Sequence, residues 1–220
     1  MFRIDLHTHT SYGSPCGYMT PAELIRRAKL VGLDGVCITE HNQLWDDEAL
    51  EKLRREHDFL VIGGVEVDTD YGDILAFGLH EPVFDVYHAE ELAELADQAG
   101  GVMVAAHPFR GLARMIADSS ESEFSLERAS QRPVFQFVDA VEVCNGMANP
   151  AEIDLATRVS RYLKLKATAG SDAHAILQVG HCLTIFKNKI SNEQDLITEI
   201  KQGRCWVADW RSHLLPPLWE

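Results

Sequence analysis

Near its start the chain reads "FRIDLHTHTSYGSPCG", with His7 and His9 two residues apart. In an extended strand alternate side chains share a face, so Asp5, His7 and His9 point one way and Ile4, Leu6 and Thr8 the other. Two imidazoles aimed together can hold a metal ion, or can stand together by accident. Further candidates occupy comparable places. Glu40 and His41 end "GVCITEH", Glu66 lies late in "FLVIGGVEV", His107 follows "GVMVAA", and Asp172 and His174 follow "KATAG". Each sits at or just past the carboxyl end of an apolar run, where parallel barrels and open α/β sheets assemble their sites. Imidazole and carboxylate without a thiolate cluster suit Zn²⁺, Mn²⁺ or Fe²⁺ and count against a structural cysteine zinc site. Five histidines and at least two carboxylates exceed the needs of one ion. Their convergence would make a site for two or three divalent metal ions, with Glu66 and Asp172 nearest its centre.

The elements that must position these groups alternate between short apolar runs and amphipathic segments. In "TPAELIRRAKLVG", Thr20 caps a helix, Pro21 suits its first turn, Glu23 completes a capping box and Gly32 suits its end. "DDEALEKLRREH", "AEELAELADQAGG", "NPAEIDLATRVSRYL" and "NEQDLITEIKQG" read as further helices, and a hairpin is expected to turn at Asp70 to Gly72. Such alternation argues for a parallel sheet covered by helices, open or closed as a barrel, within a single domain over residues 1–220. The stretch 109–135, "FRGLARMIADSSESEFSLERASQRPVF", has no clear period and reads as a lid, an insertion or a plain surface excursion.

Composition excludes several classes. The formal net charge of −14 disfavours polymeric nucleic acid and acidic membranes as partners, yet leaves room for a small anionic substrate held by bound cations. No apolar run approaches the stretch of about 20 residues that crosses a bilayer. A first strand beginning at residue 2 or 3 leaves no secretory signal, and five dispersed cysteines without C-x-x-C pairing fit reduced thiols, so a cytoplasmic location is expected. Oligomeric state is not legible.

"DLHTHT", "ITEHN", "GVEV", "AAHPF", "AVEVCNG" and "AGSDAH", in this order over residues 5 to 174, resemble the polymerase and histidinol phosphatase (PHP) domain family. The resemblance implies a distorted (β/α)7 barrel of TIM-like form, a trinuclear metal centre and phosphoesterase activity. It implies that His7, His9, Glu66 and Asp172 hold one metal, that Glu66 and His107 serve a second, and that His41 and His174 serve a third. Three positions depart from the family pattern. Glu40 stands where Asp is usual and would orient a ligand or exchange a proton. Asp73, in "GDILAFG", stands where many relatives place a histidine, as a substituted ligand or a turn residue. Cys16 lies near a position where relatives supply another ligand, and is either a thiolate ligand or a free loop cysteine.

Other side chains are candidates for substrate. Arg110 follows "AHPF" towards the open face, where its planar fork would grip phosphate oxygens or form a surface ion pair. Asn145 is placed for a polar contact, and Glu142 would support a ligand or pair locally. His181, at the start of "CLTIF", would contact substrate or donate a proton. His57, His80 and His88 read as surface residues. The leading expectation is metal-dependent hydrolysis of a phosphate ester, mono or di, on a small phosphorylated substrate such as a nucleotide. The cations would polarise phosphoryl oxygens and make a bridging hydroxide available as nucleophile. No G-x-S-x-G elbow or Walker glycine loop supplies an alternative. The competing readings are an amidohydrolase-like C–N hydrolase and a non-catalytic metal-binding accessory module.

Overall fold

A computed structural model describes residues 1–111 and 126–211. Its strands are β1 (Phe2–Asp5), β2 (Gly35–His41), β3 (Leu60–Thr69), β4 (Gly72–Phe77), β5 (Val102–Ala105), β6 (Ala140–Asn145), β7 (Lys166–Gly170), β8 (Cys182–Phe186) and β9 (Cys205–Asp209). The helices are α1 (Pro21–Leu30), α2 (Asp47–His57), α3 (Ala89–Ala99), α4 (Leu126–Ser130), α5 (Pro150–Leu163) and α6 (Glu193–Lys201). All nine strands join one sheet in the order β7-β6-β5-β4-β3-β2-β1-β8-β9. The sheet curls into a nearly closed barrel. The segments that follow β1 and β7 zip together, Asp172 N donating to His7 O at 2.8 Å and His9 N to Ala173 O at 2.9 Å. Lower down, β8 wedges into the seam. The Thr184 hydroxyl there bonds both the N–H and the carbonyl of Ala169 at 2.9 Å.

The sheet is mixed, which corrects the expectation of a parallel one. β4 runs antiparallel to β3 and β5, and β8 antiparallel to β1 and β9. The cause is local: Asp70 and Tyr71 turn the chain straight back from β3 into β4, and so short a connection allows only an antiparallel neighbour. This reversal has a consequence for Asp73. It opens β4, yet lies at the same mouth as residues that end β1, β2 and β3.

Local signals form the helices as expected. Thr20 caps α1 with a complete capping box, Pro21 opens it, and Gly32 follows with φ of 80°. Asn149 and Glu152 form the same box on α5. Leu24 and Ile25 of α1 are fully buried against a cluster that holds Val36, Ile38 and Val61, each burial contributing about 1.5–3 kcal/mol. At the end away from the histidines, Leu196, Ile197 and Ile200 of α6 pack with Phe77 and Val102. Residues 112–125 of the expected lid lie outside the described residues, while 126–135 hold α4 and the start of a 3-10 turn, Pro133–Gln136. No helix among the described residues is long and apolar enough to cross a membrane.

Gly170 shows how tightly the fold positions the histidines. A Cβ there would lie 2.4 Å from His7 Cβ and 2.8 Å from His7 N. Gly170→Ala is expected to push the His7 strand away, costing about 1–3 kcal/mol and lowering the thermal midpoint by about 2–4 °C per kcal/mol. Thermal unfolding measures it, and an unchanged midpoint would contradict this packing.

Candidate metal centre

At the open mouth four ligand atoms from three parts of the chain converge. His7 Nε2 lies 3.1 Å from His9 Nε2, and each of the two lies 3.2 Å from Glu66 Oε2. Asp172 Oδ1 is 3.2 Å from His9 Nε2 and 3.5 Å from His7 Nε2. Four ligands at tetrahedral angles around an ion, with bonds of about 2.0–2.1 Å, stand about 3.3 Å from one another. The five measured separations scatter around that value, so the cage has the dimensions of a four-coordinate divalent ion. Glu66 Oε2 and His41 Nδ1 supply the second test. Both are buried and lack a hydrogen-bond partner, yet they face each other at 3.3 Å. Atoms stranded in this way cost free energy unless a cation sits among them. The donor set therefore fits a metal.

Two further groups flank this cage. Glu66 turns its other oxygen to His107 Nε2 at 2.9 Å, and His107 Nδ1 lies 3.8 Å from Asp73 Oδ2, so Asp73 joins Glu66 and His107 in a second cluster. Its strand position removes the turn reading. On the opposite side His9, His41 and His174 form a third cluster, with the His9 ring 4.6 Å from that of His41 and 4.4 Å from that of His174. All eight residues expected as ligands thus lie in one of three adjoining clusters. His107 and Asp172 hold φ values of 28° and 53°, in the left-handed region that non-glycine residues avoid. Their amides are pinned by Glu142 Oε2 at 2.9 Å and His7 O at 2.8 Å. Two of the five non-glycine residues with positive φ among the described residues are thus candidate ligands.

A layer of polar groups fixes the imidazoles. Glu142 Oε1 accepts from His7 Nδ1 at 3.0 Å, which leaves Nε2 as the lone pair facing the cage. Ser14, which the sequence reading did not single out, lies 3.3 Å from both His9 Nδ1 and His41 N and donates to Glu40. Its only sequence signal was its place in the loop after "HTHT". Asp5 holds the closing seam, accepting from Ser171 N at 2.8 Å and Gly180 N at 2.9 Å, and burial raises its pKa to about 6.

Glu40, His181 and Cys16 stand outside the three ligand clusters. Glu40 is fully buried and spends its carboxylate on Thr10, Ser14 and Trp45. It acts on His9 through Ser14 and is too enclosed to exchange a proton with substrate. His181 joins none of the clusters. Burial and the nearby Arg211 and Arg27 guanidiniums lower its pKa, and its neighbourhood is the Asp209–Arg211 pair at the entry to β8. Cys16 likewise belongs to no ligand cluster among the described residues, and burial followed by the Glu40 charge raises its thiol pKa, so the free-cysteine reading stands. His80 and His88 are exposed, as expected, and His57 is partly so.

Arg110 and Asn145 do meet the centre. Arg110 Nη2 donates to Asn145 Oδ1 at 2.9 Å and to Asp172, while Asn145 Nδ2 donates to Glu142 Oε2 at 2.9 Å. Burial opposes charge throughout the cage, but the groups offset one another. Glu66, Asp172 and Glu142 hold the His7 pKa well above its ordinary value. The His7 charge, together with the hydrogen bond from His107 to its other oxygen, holds Glu66 well below, and His7, His9 and Arg110 do the same for Asp172. Burial raises Asp73 and lowers His174. Removing the Ser14 hydroxyl leaves His9 Nδ1 without its partner, so Ser14→Ala is expected to weaken metal binding about 10- to 100-fold. Competition with a chelator reads this, and unchanged affinity would remove Ser14 from the support of the site.

A nearly closed β/α barrel with imidazoles and carboxylates gathered at one mouth defines a metal-binding barrel. Residues 150–205 match the family model described as PHP-associated. That match spans about a quarter of the chain and marks a similarity to PHP-associated sequences over this stretch. An uncharacterised protein of Methanocaldococcus jannaschii is 29% identical over 125 residues, covering 53% of this chain and 73% of that protein. Among solved structures, a two-domain protein of Bacteroides vulgatus containing a predicted PHP-like metal-dependent phosphoesterase superposes with a TM-score of 0.71 at 18% identity. The match covers 94% of this chain and 64% of that one. PsfC from Pseudomonas syringae superposes with a TM-score of 0.62 at 21% identity, over 95% and 92% of the two chains. At these identities the superpositions establish the fold.

Proposed function

We propose that this chain is a metal-dependent phosphoesterase acting on a small phosphorylated substrate. The observation that carries the reading is the cage of His7, His9, Glu66 and Asp172 with ion-sized separations, flanked by two further clusters that share its ligands. Divalent cations held there would supply Lewis acidity to phosphoryl oxygens and lower the pKa of water. The chain's own residues would do the rest. Glu142 keeps the proton of His7 on Nδ1, and the Asp172 carbonyl, 2.9 Å from His174 Nδ1, keeps that ring's proton away from the mouth. Arg110, oriented by Asn145 and Asp172, would present its planar fork to phosphate oxygens and offset charge that develops on them. Ser171 is fully buried with its hydroxyl on the His7 carbonyl at 3.4 Å, which disfavours it as a nucleophile. The net charge of −14 favours small substrates over polymeric nucleic acid.

A panel of phosphomonoesters, phosphodiesters, amides and lactams, run on protein whose bound metals have been counted, tests the reading. Phosphate-ester hydrolysis is expected, falling at least about 100-fold in His9→Ala, which loses a ligand of the cage. Equal activity in His9→Ala overturns it. Hydrolysis of C–N bonds alone would make the chain an amidohydrolase, and tightly held metal without turnover of any member would make it a binding module.

A further inference from the structure

Beside the Glu66, Asp73 and His107 cluster opens a cleft of about 200 Å³, lined by Tyr71, Asp73, His107, Arg110, Arg132 and Val134 among others. Its two guanidiniums are held differently. Arg110 is tied to the inner end through Asp172 and Asn145. Arg132 comes from the turn that precedes the 3-10 segment, donates Nη1 to Pro108 O at 2.6 Å and lies 5.7 Å from the centre of the Phe109 ring. These contacts fix the arginine in place, but they do not neutralise it. Among the described residues no carboxylate forms an ion pair with Arg132, although the chain carries 34 acidic residues against 20 basic ones. Burial is the one influence that lowers its pKa. A half-buried cation without a counter-charge among the described residues is costly, and its position on the wall of the cleft gives an anion access to it.

We propose that Arg132 binds a second anionic group of the substrate, so that preferred substrates carry a phosphate or carboxylate beyond the phosphate that is cleaved. This rests on the phosphoesterase reading for the first phosphate only. Asp73, on the same wall, would repel an anion placed next to it, which puts the second group at the Arg132 end. The guanidinium fork holds two oxygens of such a group at once. A charge-assisted pair of this kind corresponds to about a 10- to 100-fold gain in affinity.

The test is calorimetric titration of the metal-loaded protein with methylphosphonate and with alkane-α,ω-bisphosphonates of one to four methylenes, none of which is hydrolysed. At least one bisphosphonate is expected to bind 10-fold or more tightly than methylphosphonate. In Arg132→Gln, which keeps a donor for the Pro108 carbonyl but no charge, the ratio of the two affinities falls to near one. Arg132→Lys retains part of it. If no bisphosphonate binds more tightly, or if the advantage survives in Arg132→Gln and is therefore metal chelation alone, the proposal is overturned. The outcomes separate the two readings. An Arg132-dependent preference in a protein that hydrolyses no phosphate ester upholds the subsite and rejects the phosphoesterase, whereas hydrolysis without such a preference does the reverse.

Discussion

Glu66→Gln is expected to lower phosphate-ester hydrolysis by about 1,000-fold, equivalent to roughly 4 kcal/mol of lost transition-state stabilisation, while the chain still folds. The reason is the position of this one carboxylate. Its Oε2 lies 3.2 Å from His7 Nε2, 3.2 Å from His9 Nε2 and 3.3 Å from His41 Nδ1, and its Oε1 lies 2.9 Å from His107 Nε2. Glu66 therefore touches all three clusters. Glutamine has nearly the same shape but brings no charge, and its NH₂ would face imidazole lone pairs. A second readout follows without metal or substrate. Burial opposes a charged His7, and Glu66 is the foremost group that raises its pKa, so in the metal-free variant the His7 titration followed by NMR should move down towards 6.5. Unchanged metal content together with an unchanged rate would remove Glu66 from the centre.

The second large effect concerns protons and metal together. Stripping the metals is expected to lower the thermal midpoint by about 8–16 °C, because ion at 1,000 times its dissociation constant adds about 4 kcal/mol, worth 2–4 °C each in a chain of this size. The loss should grow with pH. His7 has a folded pKa above its ordinary 6.5, so its contribution to the stripped protein is complete below 6.5 and disappears as pH rises through the elevated value. Glu66 and Asp172 have folded values below their ordinary 4.5 and 3.8, so their contributions are present above those values and are lost as pH falls. The stripped protein is thus most stable between about pH 5 and 6.5. Above that window the buried carboxylates lose the His7 charge and keep Arg110 as their counter-charge. A divalent ion takes the place of the His7 proton, so metal affinity should rise with pH over the same range. Unfolding curves with and without metal from pH 5 to 9 measure this, and a gap that does not vary with pH would contradict it.

Much of this was legible because its causes are local. The caps of α1 and α5 depend on a few neighbouring residues, and Thr20, Glu23, Asn149 and Glu152 act as their spacing predicts. The ligands were legible for a related reason: an apolar run that ends in His, Glu or Asp places that residue at a strand terminus, and parallel strands deliver their termini to one mouth. What escaped the reading depends on contacts between distant segments. Glu40 has the type and position of a catalytic group, but Thr10, Ser14 and Trp45 enclose it. His181 immediately precedes β8, and because β8 runs antiparallel to β1 it stands towards the mouth end of the sheet, yet its charged neighbours are Arg211 and Arg27 and it joins no ligand cluster among the described residues. Asp73 could not be assigned until β4 was seen to reverse.

The sequence by itself determined which residues were available for metal chemistry and which end of each strand would carry them, since side-chain type and period are properties of the chain alone. Only the tertiary structure decided which of them meet. The cage closes because Asp172 N reaches His7 O and His9 N reaches Ala173 O across more than 160 residues of chain, and Glu142 of β6 then fixes the His7 ring from the far side of that seam. Separations of about 3 Å between such residues depend on strand register and barrel closure, which no local spacing encodes.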